Sequence, residues 1–306
     1  MVYFDDEQLP HMPVMLDEVI NFIKPCKGDV IVDATVGAGG HSCEILKRIR
    51  PGGLLIGIDK DEEILKIARN YLLKISKSFK LFHANYIDLR CILSELKINK
   101  VNGILLDLGV SSFQLDSPER GFSLNKEGPL DMRMDRSQGI TAKDLLRRLT
   151  EKEMREIFWR YGEEKRSKSI ARAILRERKK GEGIKTTTQM ARIIEKAVFT
   201  SKKRPKRRKI HPATLVFQAL RIVINDELKN LESFLSNAHE FLLRGSRIVV
   251  ISFHSLEDRL VKNAFRKGKN TSILKILTRK PLRPIKSEIR ANVRSRSAKL
   301  RAAERL

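Results

Sequence analysis

The sequence predicts an α/β fold: a doubly wound, mostly parallel sheet interrupted by an inserted helical subdomain. Two observations predict it. Through residue 109, short apolar runs alternate with stretches of helical spacing, the pattern of parallel strands joined by crossover helices. The alternation then stops for more than a hundred residues. Only helical periodicity fills that gap before a buried strand returns.

Taken in order, Val30, Ile31 and Val32 form the first strand run, and helical spacing resumes over 42–49. Between them lies "GAGG". A tight turn needs glycine simply because positive φ is cheap there. A strand, a glycine turn and a helix, however, also make half of a nucleotide-binding unit. The dinucleotide pattern G-x-G-x-x-G is only partly met, since Gly37 and Gly39 fill its first two places and Ser42 stands at the third. A dinucleotide is therefore not the default ligand. The next strand, "GLLIGIDKD", ends in Asp59, twenty residues past Gly39, where an acid can accept both ribose hydroxyls. Together the two signals argue for a bound nucleoside.

A helix follows over 62–74, then the strand "FKLFHAN" (79–85), a helix over 89–96 and the strand "GILLDLG" (103–109). In the gap, three or four short helices fit between Thr141 and Phe199, for example over 150–161 and 167–179, with Thr186 to Thr188 offering N-caps to the next. From 211 the chain is expected to return to the sheet, with Pro212 opening a core-packing helix. "RIVVIS" (247–252) supplies a fifth strand, and "SILKILT" and "SAKLRAAER" the last ones. The expected organisation is one domain from 1–114 and 211–306, with a helical subdomain inserted over 115–210.

Composition excludes several classes. The chain of 306 residues is 41% hydrophobic, enough for an ordinary core. Its 62 Lys and Arg against 37 Asp and Glu give a net charge of +25, which suggests a polyanionic partner. Residues 1–60 hold 6 basic and 9 acidic side chains, so the excess lies wholly beyond them. Cys26, Cys43 and Cys91 are far apart, so neither a zinc cluster nor a disulfide framework is indicated and a reducing cytoplasm fits. No apolar run reaches the length of a membrane span, and the N-terminus lacks a signal-peptide core.

The blocks "HMPVMLDEV", "VDATVGAGGHS", "GILLDLGVSSFQLD", "RGFS", "GPLDMRMD", "HPAT", "FQALRI" and "SFHSLEDR" resemble the bacterial 16S ribosomal RNA cytosine-N4 methyltransferases, over most of the chain. The resemblance implies a Rossmann-like methyltransferase domain that binds S-adenosylmethionine, which has no pyrophosphate and so no need of a third glycine. It implies Gly39, Gly40 and His41 beside the cofactor, Asp59 on its ribose, and Tyr86, Asp107 and Gln114 around its adenine and reacting end; Gly37 shares the turn. Phe113 replaces the family's usual proline ahead of Gln114. The resemblance also implies the decoding region of small-subunit RNA, free or within the assembled subunit, as the substrate.

That acceptor defines the chemistry. The lone pair of the cytosine N4 amine is delocalised into the ring, so the site must align it with the methyl and favour a pyramidal nitrogen. Asp107, closing the fourth strand, is the candidate hydrogen-bond acceptor and catalytic residue; the proline pair and aromatic that often follow such an acceptor in amino-methyltransferases are replaced by Leu108, Gly109 and Val110. No metal is required. Asp131, Arg133 and Asp135 of "DMRMD" and His254 of "SFHSLED" are candidates to hold the base, although Ser255 with Asp258 would also form a capping box. The run Lys202, Lys203, Arg204, Lys206, Arg207, Arg208 and Lys209 reads as a phosphate-binding arm or a solvated loop. From Arg259 to the end, 16 basic residues against 2 acidic ones enlarge that footprint. Two other readings are a non-catalytic RNA-binding assembly factor retaining a nucleoside pocket, and a nicotinamide-dependent oxidoreductase, which the missing glycine and basic surface disfavour.

Overall fold

The computed structural model describes residues 12–181, 183–199 and 211–306. Contacts divide the chain into two units: one holds the described residues through Gly109 with Leu228–Leu306, the other those of Val110–Glu227.

The first unit contains α1 (Leu16–Ile23), β1 (Val30–Asp33), α2 (Gly40–Ile49), β2 (Leu54–Asp59), α3 (Glu62–Leu73), β3 (Phe79–His83), α4 (Leu89–Glu95) and β4 (Val101–Asp107). The second contains α5 (Ser112–Asp116), α6 (Ala142–Arg148), α7 (Glu151–Arg160), α8 (Ser167–Arg178), α9 (Thr187–Val198) and α10 (Pro212–Ile224). The chain completes the first unit with α11 (Glu227–Asn237), β5 (Leu242–Ser252), α12 (Ser255–Asn270), β6 (Leu274–Ile276), α13 (Lys286–Ala291) and β7 (Lys299–Arg305).

The seven strands form one sheet in the order β3-β2-β1-β4-β5-β7-β6. The first five run parallel and β7 runs antiparallel to both its neighbours. This is the expected doubly wound, mostly parallel sheet. Successive strand residues point to opposite faces. Val32, Ile56, Ile104 and Val250 therefore meet Leu231, Phe234 and Phe265 on one side. Ile31, Leu55, Leu105 and Val249 meet Val19, Ile45 and Leu46 on the other. Both faces being covered explains why these strands read as unbroken apolar runs.

The second unit is helical. Phe158 of α7, Ile170 and Ile174 of α8, Met190 and Ile194 of α9, and Val216 and Leu220 of α10 form its core. The return to the sheet comes later than the expected residue 211. The buried face of α10 is occupied by α7 and α9, so the chain re-enters the sheet unit with α11.

Candidate active site

Three neighbouring strands, β2, β1 and β4, each end in an aspartate: Asp59, Asp33 and Asp107. The chain reverses direction across the sheet between β1 and β4, and ligands of open α/β sheets bind outside the carboxyl ends of strands at such a point.

The glycine turn crosses the end of β1. Gly37 and Gly39 adopt φ of 54° and 92°, which an L side chain rarely tolerates. A Cβ on Gly39 would touch the backbone of Ala68 at 3.4 Å, and one on Gly40 would press on Pro13 at 3.1 Å; beside Gly37 there is open space. Gly39 and Gly40 thus fit the turn against α3 and the segment before α1. The Gly37 N–H donates to Asp59 Oδ2 at 2.8 Å, and the Asp61 N–H to Asp59 Oδ1 at 3.0 Å. Asp59 is tied to the turn it was expected to complement, and burial pushes its carboxyl up from 3.8 to about 6 despite those two bonds.

Ser42, where a dinucleotide fold would carry glycine, donates through Oγ to Asp33 Oδ2 at 2.6 Å. Asp33 Oδ1 accepts from the Thr35 N–H at 3.2 Å, and Thr35 Oγ1 accepts from the Asp107 N–H at 2.6 Å. A continuous chain of hydrogen bonds therefore runs from the first turn of α2 to the end of β4. Asp33 is 1% exposed, and burial raises its carboxyl to about 6 against the lowering effect of Ser42 and Thr35. Neither Asp33 nor Thr35 was singled out from sequence; an acid closing the strand directly before a glycine turn was the available signal.

Asp107 keeps 24% of its side chain open, while its Oδ1 is buried and has no hydrogen-bond partner among the described residues. Burial raises its carboxyl well above the usual range, and the negative charges of Asp33 and Glu257 raise it further. His41 lies beside it, Nδ1 to Oδ2 at 3.8 Å. Only a protonated ring would make this an ion pair, and burial pushes the imidazole down to about 4. The ring is neutral near pH 7; its Nε2–H donates to the Val14 carbonyl at 2.9 Å, which leaves Nδ1 unprotonated toward Asp107.

Tyr86 opens a short 3-10 turn after β3 and meets Phe234 edge-on, centroids 5.3 Å apart. His254 follows β5, beside β4. It caps α12: Nδ1 accepts from the Glu257 N–H at 3.4 Å, and Glu257 Oε2 accepts from the His254 N–H at 3.3 Å. The capping box is thus His254 with Glu257, one residue earlier than Ser255 with Asp258. Asp258 is instead held by Arg301 at 2.6 Å.

In the second unit, Gln114 Oε1 accepts from the Ser111 N–H at 3.0 Å, in the capping box of α5. Arg133 grips Asp131 with two bonds of 2.8 and 3.0 Å. Asp135 accepts from Ser137 Oγ at 2.6 Å. The buried Arg120 donates to the carbonyls of Arg133 and Met134 at 3.2 and 2.8 Å, which fixes this loop from beneath. The basic run 202–209 lies outside the described residues.

Residues 8–306 match the model of the MraW methylase family. The chain belongs to that family. The ribosomal RNA small subunit methyltransferase H of Thermotoga neapolitana is 51% identical over 96% of this chain and 95% of its own length. The protein of the same name from Syntrophus aciditrophicus is 47% identical over 97% and 98%. A solved rRNA methylase from Streptococcus thermophilus covers 97% of this chain and 99% of its own, at 11% identity and a TM-score of 0.42. Membership in the MraW methylase family extends across both units, so the helical insertion is part of the family's matched length.

Proposed function

We propose that this chain transfers a methyl group from S-adenosylmethionine to the N4 amine of a cytidine in small-subunit ribosomal RNA. The observation that carries the reading is Asp107: a carboxylate at the end of β4 whose Oδ1 has no hydrogen-bond partner among the described residues, on an edge it shares with Asp33 and Asp59. The family and the names of its close relatives supply the RNA and methyl transfer; the strand-end acids supply the reaction centre.

The cofactor fits this edge chemically. Asp59 is suited to the ribose hydroxyls, Gly39, Gly40 and His41 to a close-lying methionine portion, and Tyr86 to the adenine. S-adenosylmethionine, when bound, supplies an electrophilic methyl and positive charge. An opposite charge favours the ionised form of a carboxylate, so Asp33, Asp59 and Asp107 suit a cationic ligand and oppose the pyrophosphate of a dinucleotide.

Asp107 then works as an acceptor. Its carboxylate takes a hydrogen bond from the N4 amine, which pulls the nitrogen toward a pyramidal shape and frees its lone pair. As N4 gains its new bond to carbon it must lose a proton, and Asp107 is the group that receives it. A carboxyl raised by burial is a better proton acceptor than one at its ordinary value. Thr35 holds the Asp107 backbone, and neutral His41 adds no charge that would stabilise the carboxylate. Alignment alone can supply about 7–11 kcal/mol of the barrier. We further assign RNA recognition to the loop carrying Asp131, Arg133 and Asp135, to His254, and to the basic run 202–209.

The test is to incubate the protein with labelled S-adenosylmethionine and small ribosomal particles and to map the modified nucleotide by mass spectrometry. Label on N4 of one cytidine is expected. Label on a ring carbon, a ribose or another base would overturn the assignment.

A further inference from the structure

The chain contains one tryptophan, and it lies on the outside. Trp159, on α7 of the helical unit, is 59% exposed, while Met154 and Phe158 of the same helix are buried. Isolated exposed apolar side chains are common on folded proteins and need no explanation. What sets this one apart is its surroundings.

On a helix, residues three and four apart are neighbours. Trp159 is thus flanked by Arg155 and Glu156, with Lys152 a further turn back and Arg160 adjacent. The acids of α7 are largely committed: Glu151 pairs with Arg172 at 3.0 Å, and Glu153 closes the Thr150 capping box. Lys152 and Arg155 are exposed, and among the described residues neither is seen in an ion pair. The Arg160 guanidinium sits 5.5 Å from the Tyr161 ring centroid. Lys165 and Lys168 add exposed positive charge just beyond the helix. Glu156 is the opposing acid on this face, and the exposed Glu163 follows beyond the helix. An exposed aromatic ring with Arg155 one turn away and Lys152 two turns back on the same helix face has the chemistry that binds single-stranded nucleic acid. Bases stack on the ring in a sequence-tolerant way while cations track the phosphates.

We infer that the outer face of α7 is a docking surface for an unpaired segment of the RNA substrate, with a nucleobase stacked on the Trp159 indole and Lys152, Arg155 and Arg160 on the adjoining phosphates. This rests on the reading of the protein as an RNA-modifying enzyme. It adds a stacking contact remote in sequence from every residue assigned above.

The single tryptophan is its own reporter. The full-length protein is titrated with a single-stranded oligoribonucleotide while tryptophan fluorescence and, separately, filter retention of labelled RNA are followed. Quenching that saturates with RNA binding is expected, and inorganic polyphosphate, which has charge but no bases, should bind without quenching. Trp159→Ala should weaken RNA binding about 5- to 150-fold, with an unchanged melting temperature and unchanged S-adenosylmethionine affinity. Trp159→Phe, which keeps an aromatic face, should recover most of that loss. RNA that binds with no quenching, or a Trp159→Ala protein of wild-type RNA affinity, overturns the inference and leaves the methyltransferase reading standing. Loss of affinity for ribosomal particles but not for free RNA would make the face a protein contact, and also overturns it. Failure of the wild-type protein to bind or methylate any RNA would instead sink the underlying reading.

Discussion

Replacing Thr35 with valine tests whether the hydrogen-bond chain from α2 to β4 matters for catalysis. Valine keeps the branched shape but removes Oγ1, the acceptor of the Asp107 N–H at 2.6 Å. A buried donor left without a partner costs about 1–3 kcal/mol. Because that donor is the backbone of the acceptor residue itself, much of the cost should appear as misplacement of the Asp107 carboxylate. If all of it is lost from the transition state, the rate falls about 5- to 150-fold.

The assay is single-turnover methyl transfer to small ribosomal particles, with cofactor affinity measured by calorimetry. The rate constant should drop while KM for RNA stays the same, since Thr35 is not assigned a substrate contact. Thr35→Ser keeps the oxygen and should restore most of the rate; a merely structural role would show instead as a lowered melting temperature that serine and valine share. A valine variant within twofold of the wild-type rate, or a serine variant as slow as valine, would refute the reasoning.

Asp107→Asn keeps the shape but cannot take up a proton at neutral pH, so transfer should fall about 10²- to 10⁴-fold while RNA affinity, measured by filter retention, changes little. Asp59→Ala should weaken S-adenosylmethionine binding by about 1.5–3 kcal/mol, read by calorimetry, with the fold intact by circular dichroism. Asp33 has its folded-state carboxyl raised from 3.8 to about 6, so its contribution to stability is fully present below pH 3.8 and is lost as pH rises through about 6. The unfolding free energy should fall by about 3 kcal/mol from this group across that window, and denaturant titrations of Asp33→Asn should show a flatter pH slope, with the share of Asp59 left. Replacing five basic residues of the run 202–209 with serine or glutamine should reduce the slope of log RNA affinity against log salt by about 3.5, and an unchanged slope would remove that run from the footprint.

The parallel strands were legible because both faces are buried, so each strand is a continuous apolar run that ends where its charge begins. Asp59 and Asp107 were found that way, as strand-closing acids. Asp33 closes its strand in the same manner, yet the glycines beside it drew attention to the turn, and its bonds to Ser42 and Thr35 join residues whose partnership no periodicity encodes. The first helix, α1, is eight residues long, too short for its periodicity to stand out in the sequence. Pro212 does open a core-packing helix, but the sequence does not say which helices it packs against, hence the late return to the sheet. At α12 the sequence offers two overlapping capping patterns. His254 with Glu257 prevails because α12 begins at Ser255, which leaves His254 as the last non-helical residue and so the N-cap, while Arg301 on β7 claims Asp258.

Carboxylates are rarely buried without partners, and this edge gathers Asp33, Asp59, Asp107 and the 2%-exposed Glu257 in a protein of net charge +25. Among the described residues, Asp33, Asp59 and Asp107 carry no ion pair with Lys or Arg, and each is raised first by burial and then by a neighbouring acid or against its hydrogen bonds. The abundant cations among the described residues are thus kept away from an edge where acids are crowded. The unliganded edge is left short of positive charge, at a cost in stability near neutral pH. In the proposed reaction, a sulfonium bearing an ammonium would relieve that shortage and shift the carboxyls toward their charged forms, the state in which Asp107 could accept a proton. A pyrophosphate would aggravate the repulsion. Ser42, placed where a dinucleotide fold needs glycine, instead spends its hydroxyl on Asp33, so the residue that breaks the dinucleotide pattern is also the one that anchors the acid chain leading to Asp107.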